Sequence, residues 1–535
     1  MTVMIIMVFM TVNYSNSPMK KIYTIALLLQ LCTLAAYAQT SDSTASIKAR
    51  SFAIDSAAYN FYNFAKNKSF FTASMPDGFN TLSLGHQLTK GRFMPYQESS
   101  KTNDTYFATE GKTTLSDVAL WGSLVYHKIR EDSTRWGHQT RNNTTTPLYY
   151  GSERNVNYER SVYQFSAMAQ RNMIGNNLPL ALGIDYRIGD HYSTNDPRAT
   201  LNDYQFNMQA SLGYRLSKGL SLGLGLRYGY GDERTDIAYK NKQNETNTDQ
   251  PQYITHLING YGDPAMKPIN RVFQNKQSRK GIDTYLNYEH PNFGTFSWSG
   301  SYLKETQNFL NKFPDLVYND FFNDYYLNSY KFDLTWRKKL AQYQLVLIAN
   351  YSNLDGEDFS YKESANNYLY NRQQWGIKAV LSKPGKTSFN YVLELKKDGE
   401  ERQDGSKANI LSYNAIKPGL GFGFNRQLPG NQSFGMNVKG VYSKNINDQF
   451  VVPVINEGAF TKTVIYHDYL YNTADYFSGT VQADYTFPTF RQIQTGIKLG
   501  FTYNEATQFK QLDRNVATLP GNQRFSTNLS LNFYF

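Results

Sequence analysis

Along residues 204–230, apolar and polar side chains change places at every step. Tyr204, Phe206, Met208, Ala210, Leu212, Tyr214 and Leu216 take one parity; Gln205, Asn207, Gln209, Ser211, Gly213, Arg215 and Ser217 take the other. After Lys218-Gly219 the alternation resumes, Leu220 to Tyr230 against Ser221, Gly223, Gly225, Arg227 and Gly229. Successive side chains of a strand point to opposite faces, so this is a hairpin with one apolar and one polar face; a helix would scatter these residues around its circumference. The pattern recurs at 178–190, 294–306 and 325–338, with further turns at Lys383-Pro384-Gly385, Leu428-Pro429-Gly430 and Thr486 to Arg491. Residues 80–535 hold about 18 such segments. Longer stretches at 131–154, 231–279, 354–372 and 446–473 separate the hairpins, so the connections are expected to alternate strictly between short and long. These features predict an all-β chain: one transmembrane antiparallel up-and-down β-barrel of about 16–18 strands, with short periplasmic turns and long extracellular loops. Lipid offers backbone groups no hydrogen bonds, which forces the sheet to close.

Both ends of the chain fit export to a bacterial outer membrane. Residues 19–38 carry a basic start at Lys20 and Lys21, an apolar core from Ile25 to Leu34 and the small-x-small site Ala36-Tyr37-Ala38. That is a signal peptide cleaved after Ala38, with Met19 as the natural start. Phe525, Leu529, Leu531, Phe533 and Phe535 share one parity up to the last residue. This strand resembles the C-terminal strand of bacterial outer-membrane proteins, and the resemblance implies that Phe533 and Phe535 are read by the barrel-insertion machinery. The domains expected are therefore a signal peptide (1–38), a short periplasmic segment (39–79) and the barrel (80–535). The middle segment is too short for the separate plug of 22-stranded transporters. Its SAAYNFYNFAK (56–66) reads as one short helix at the periplasmic mouth or partly in the lumen.

Composition narrows the function. Mean hydropathy is −0.56, and after residue 38 no apolar run approaches the length of a spanning helix. Strands that alternate lipid-facing and lumen-facing residues average out as polar, so this composition suits a barrel. The 43 tyrosines belong at strand ends, where a ring with one wet edge favours the headgroup zone. Tyr149, Tyr150, Phe321, Phe322 and Tyr325 sit on loops and are expected to pack there rather than to bind sugars. The formal charge of +11 is scattered, without the basic block or motif of a nucleic-acid-binding domain. Outer-membrane lipid and lipopolysaccharide are the expected contacts of a weak positive field. The one cysteine, Cys32, falls in the signal peptide.

No chemistry stands out. The seven histidines show no HExxH and no paired ligand spacing, so neither a metal nor a cofactor is expected. Gly385-Lys386-Thr387 lacks the upstream glycine of a phosphate loop, because position 380 is Val380, and it lies in a hairpin turn. Gly189-Asp190-His191-Tyr192-Ser193 has the residue types of a rim hydrolase, but a triad is a geometry and not a sequence.

The stretches LWGSLVYHK (120–128), PLYYGSE (147–153) and LPLALGIDYR (178–187), followed by NDPR (195–198), resemble an uncharacterised outer-membrane β-barrel family of Bacteroidota type. The resemblance is firmest over residues 105–230. It implies fold and location, and it carries no catalytic or binding residue. Asp196-Pro197-Arg198 is expected to pin an external loop, because proline fixes φ and an Asp–Arg pair can hydrogen-bond.

The leading expectation is a non-enzymatic pore for small polar solutes. Its lumen would carry Arg187, Arg215, Arg227, Arg337, Lys378, Lys439 and Lys498 against Asp185, Asp283, Asp333, Glu394 and Asp484. Rings of such charge would bias ion selectivity. A second reading is a scaffold barrel docking a surface lipoprotein or peptide through loop 231–279. A third is a rim hydrolase working through His191.

Overall fold

The computed structural model describes residues 57–535, apart from 77, 176, 247–248, 265–270, 312–319 and 490–492. The expected signal peptide, with Ala36 and Ala38, and residues 39–56 lie outside the described residues.

One 18-stranded antiparallel sheet closes on itself. The first barrel strand, Phe79–Gly91, pairs both with Lys101–Leu115 and with the last strand, Gln523–Tyr534. The Phe535 N–H donates to the Asn80 carbonyl at 3.1 Å, and the Asn80 N–H returns a bond to the Phe535 carbonyl at 2.9 Å. The terminal residue thus completes the seam. Each segment that the period-two pattern marked is a strand of this barrel.

Burial is inverted relative to a soluble protein. Leu182, Leu226, Leu393 and Leu420 are 56–67% exposed on the outer face, and Tyr186, Tyr214, Tyr228, Tyr230 and Tyr442 are exposed beside that apolar band. The opposite parity, including Gln209, Ser211, Asp283 and Gln307, is buried inside. This is the surface that lipid requires, and it makes the closed sheet a transmembrane barrel.

One end of the barrel carries tight turns, such as Pro429-Gly430-Asn431, where φ of 70° and 57° at the last two positions suits glycine and asparagine. The other end carries the loops. The expected strict alternation of connection lengths does not hold there. The strand Leu178–Ser193 passes to Arg198–Ser217, and Thr387–Asp404 to Asn409–Leu428, each through four residues. The ladders run several residues beyond the apolar band, where both faces are polar and the sequence contrast fades. For the same reason the loop expected at 231–279 shrinks to 239–271.

Candidate functional site

The lumen is occupied from the turn end by the chain's own residues 57–76. Ala57–Ala65 is a helix whose Phe61, Phe64 and Ala65 recur at helical spacing and bury together. Asn67 ends it in the left-handed region (φ 70°), and the Lys68 ammonium donates to the Phe64 carbonyl at 2.6 Å. A 3₁₀ turn, Ser69–Ser74, follows. Phe61, Tyr62, Phe64, Phe70, Phe71 and Met75 form a core with Phe79, Trp121, Met168 and Tyr285 of the wall. Phe70 stacks on Tyr285 with ring centroids 5.1 Å apart. The wall is shaped for that ring: a Cβ at Gly213 or Gly223 would lie 2.5 or 2.6 Å from it. The strand glycines Gly213 and Gly223 are therefore a seat for the plug.

Polar wall groups close around the segment. The Trp121 indole N–H donates to the Tyr62 hydroxyl, and that hydroxyl donates to Glu110, both at 2.8 Å. The Lys112 ammonium donates to the Ala73 and Met75 carbonyls at 3.2 and 2.6 Å. Gln170 accepts the Ala73 N–H at 2.7 Å, and the Ser69 and Ser211 hydroxyl oxygens lie 2.6 Å apart.

The lumen candidates all face inward, as parity required, but they do not form free rings of charge. Asp333 pairs with Lys68 of the plug at 3.1 Å, Arg337 lies 3.7 Å above the Phe61 ring, and Lys378 donates to Asn60 at 3.3 Å. Others neutralise one another along the wall: Arg227 with Asp283 at 2.5 Å, Arg187 with Asp203, and Glu394 with both Lys396 and Lys439. Near the turn end Asp484 faces Lys498 across the register, buried, with neither carboxylate oxygen hydrogen-bonded among the described residues. Arg215 is half-buried at the same end, and Asp185 stays exposed to the lumen. The ring picture is corrected because cross-strand register, which parity alone does not set, brings opposite charges together.

The loop end is closed by a lid. Leu148–Gly151 pairs with His256–Asn259 in a small sheet of its own. Tyr149, Tyr150 and Ile258 of that sheet bury with Trp136, Tyr261, Phe460 and Tyr466 and with wall residues such as Tyr158, Phe273 and Tyr325. Phe322 packs against this core, while Phe321 stays 50% exposed. Asp263 accepts the N–H groups of Gly458, Phe460 and Thr461 at 2.8–3.2 Å, tying two loops together. Asp196 does pin a loop, but by accepting the Lys240 and Asn241 N–H groups at 2.9 and 3.0 Å; Arg198 lies 3.4 Å from it as an ion pair rather than as the expected hydrogen-bond partner.

Beneath lid residues Thr140, Arg141 and Asn142 lies a cavity of about 410 Å³, walled by Asp104, His127, Glu131, Arg160, Arg187 and His191. Glu131 is bracketed by Arg160 at 3.0 Å and Arg141 at 3.5 Å. His138, in the lid, bonds the Tyr158 hydroxyl through Nδ1 and Ser152 through Nε2. Burial, reinforced by the Arg160 guanidinium, holds its imidazole down to about 3 from the ordinary 6.5. Glu131, Arg160 and Asp203 escaped the sequence reading, although their parity marked them as inward. His191 is fully buried inside the wall rather than open at the rim, with Nε2 3.0 Å from Asp203. Ser193 donates its hydroxyl proton to the Pro197 carbonyl at 2.8 Å, so that proton is not directed at His191.

The family model that describes a family of unknown function, DUF6850, matches residues 69–535. The chain belongs to the DUF6850 family. That match begins within the plug and takes in the whole barrel, including the stretch 105–230. No curated protein matches this DUF6850 chain in sequence. Among solved structures, it is similar to the siderophore receptor PiuA from Acinetobacter baumannii (9% identity, 85% of this chain and 82% of that one, TM-score 0.38). It is also similar to the ferric citrate transporter FecA (8%, 86% and 79%, TM-score 0.39) and to OccK7 from Pseudomonas aeruginosa (8%, 85% and 98%, TM-score 0.29). Likeness this distant carries no argument about function. The barrel assignment rests on the chain's own strand ladder and apolar outer face.

Proposed function

We propose that this DUF6850 protein is a non-enzymatic outer-membrane channel of a Bacteroidota-type bacterium that rests closed and passes small polar solutes when its inner elements move. One observation carries the reading: folded parts of the same chain fill the lumen at the turn end and cap it at the loop end, with a charged cavity under the cap. A scaffold barrel would have no evident use for a charged cavity beneath its lid. The stretch 231–279, expected as a docking surface, places Ile258 and Tyr261 in the lid core instead. Outer-membrane placement is supported by the exposed apolar band, the tyrosines beside it and the aromatic last strand. With the turns periplasmic, the plug closes the periplasmic mouth and the lid the outer one.

Planar-bilayer conductance of purified protein tests this. The full-length barrel is expected to stay electrically closed. Removing residues 57–76 and replacing 137–153 by a short Gly-Ser linker should give steady conductance. A doubly altered barrel that inserts and remains silent would end the channel reading, and steady current through the unaltered protein would end the closed one.

A further inference from the structure

We propose that Lys280 and Lys304 form a site on the outer wall for the phosphate of an anionic lipid headgroup. The two residues are directly opposed in the antiparallel register, and both are exposed. They share the lipid-facing parity with Ile282, which is 49% exposed. Their height is that of the tyrosines: Lys280 stands across from Tyr228, and Tyr302, two residues before Lys304, packs on Tyr330 with ring centroids 5.0 Å apart. Two lysines therefore oppose each other across the ladder in the headgroup zone.

Like charges directly opposed across a ladder destabilise it unless something of opposite sign lies between them. Several other outward cations have such a partner within the chain. Lys128 and Arg130 share Glu159 at 3.0 and 3.7 Å, Arg171 meets Asp117 at 2.7 Å, and Arg234 lies 3.9 Å from Asp236. Among the described residues neither Lys280 nor Lys304 has a carboxylate within ion-pair distance; the Lys304 ammonium lies 5.7 Å over the Tyr326 ring. Asp324, higher on the same face, is already taken by Asn308, Tyr326 and Tyr361 at 2.7–3.2 Å. An anion from outside the protein would supply the opposite charge that the chain does not place there. A phosphate accepts from two ammonium groups at once, and the apolar wall below, at Ile282, is where that phosphate's acyl chains would lie.

The test is native mass spectrometry of the full-length barrel in detergent, titrated with bis-phosphorylated lipid A or with phosphatidylcholine. Wild type should retain one lipid A. The Lys280→Gln/Lys304→Gln protein should bind it roughly thirtyfold more weakly, from two lysine contacts near a lipid surface. A Lys218→Gln control at the opposite end should bind as wild type, and all three should bind phosphatidylcholine alike and weakly. Equal lipid A retention by the double variant, with heat-modifiable gel migration showing it folded, would overturn the site. So would wild type preferring phosphatidylcholine.

Discussion

The two ends of the lumen are closed in different ways. Among the described residues the plug is a single run, joined to the barrel covalently through Phe79, and it docks by aromatic packing plus a few wall hydrogen bonds. The lid is assembled from several loops, each tethered at both ends, and is knit by bonds such as those to Asp263 and Asp196. A segment with one covalent attachment can leave as a unit, whereas a lid with many can only loosen. The plug is accordingly the element whose removal should open the turn end, and the lid the element whose looseness should vary with conditions.

Mutations should separate the two, beginning with the ring that seats the plug. Phe70→Ala removes a buried ring stacked on Tyr285 and should weaken plug docking by about 3–5 kcal/mol. A cysteine introduced at Thr72, which is fully buried in the docked plug, in a Cys32→Ser background, should then react with a membrane-impermeant maleimide orders of magnitude faster than in the parent. Unchanged labelling would mean that the ring does not hold the segment. Gly223→Val approaches the same contact from the wall by placing atoms where Phe70 lies, and should cost about 1–3 kcal/mol in the same assay. If Gly223→Val leaves labelling slow, the glycine is not the seat.

The lid should answer to pH instead. His138 is neutral when buried and would take up a proton in an opened lid below about 6.5, its ordinary value, but in the closed lid only near 3. The open form thus binds more protons between those values, so closure weakens as pH falls from 6.5 toward 3 and is unaffected above 6.5. At pH 5 the loss is about 2 kcal/mol. Amide hydrogen exchange over 136–152 should speed up accordingly, while plug labelling does not. His138→Gln should flatten that dependence; a profile that survives it assigns the titration to another group. The smallest effect should come from Asp196→Asn, which weakens two backbone bonds between neighbouring loops by about 1 kcal/mol. Faster exchange at Lys240 and Asn241 alone would show it.

How much the sequence disclosed follows the same division. The wall was legible because period two is imposed residue by residue by lipid on one side and water on the other. Even the inward direction of Arg227, Asp333 and Lys498 followed from it. The partners of those residues were not legible: that Arg187 meets Asp203, or that Lys439 meets Glu394, depends on strand register. The aromatic run SAAYNFYNFAK (56–66) gave a short helix at the periplasmic mouth or partly in the lumen, but no sign of the wall residues that seat it. Gly213 and Gly223 read only as small lumen residues until Phe70 was found upon them. Loops carry no periodicity, so the lid sheet at Leu148–Gly151 and His256–Asn259 left no trace beyond its tyrosines.

The central claim is that residues 57–76 occupy the lumen of the protein as it sits in its membrane. Ser69 and Ser211, whose hydroxyl oxygens are 2.6 Å apart, give the direct test. In a Cys32→Ser background, the Ser69→Cys/Ser211→Cys protein in intact outer membranes should oxidise almost completely to an intramolecular disulfide, read as a reductant-sensitive shift of the folded barrel on gels. Two thiols that stay free and label independently under the same oxidant would place the segment outside the barrel and contradict the account.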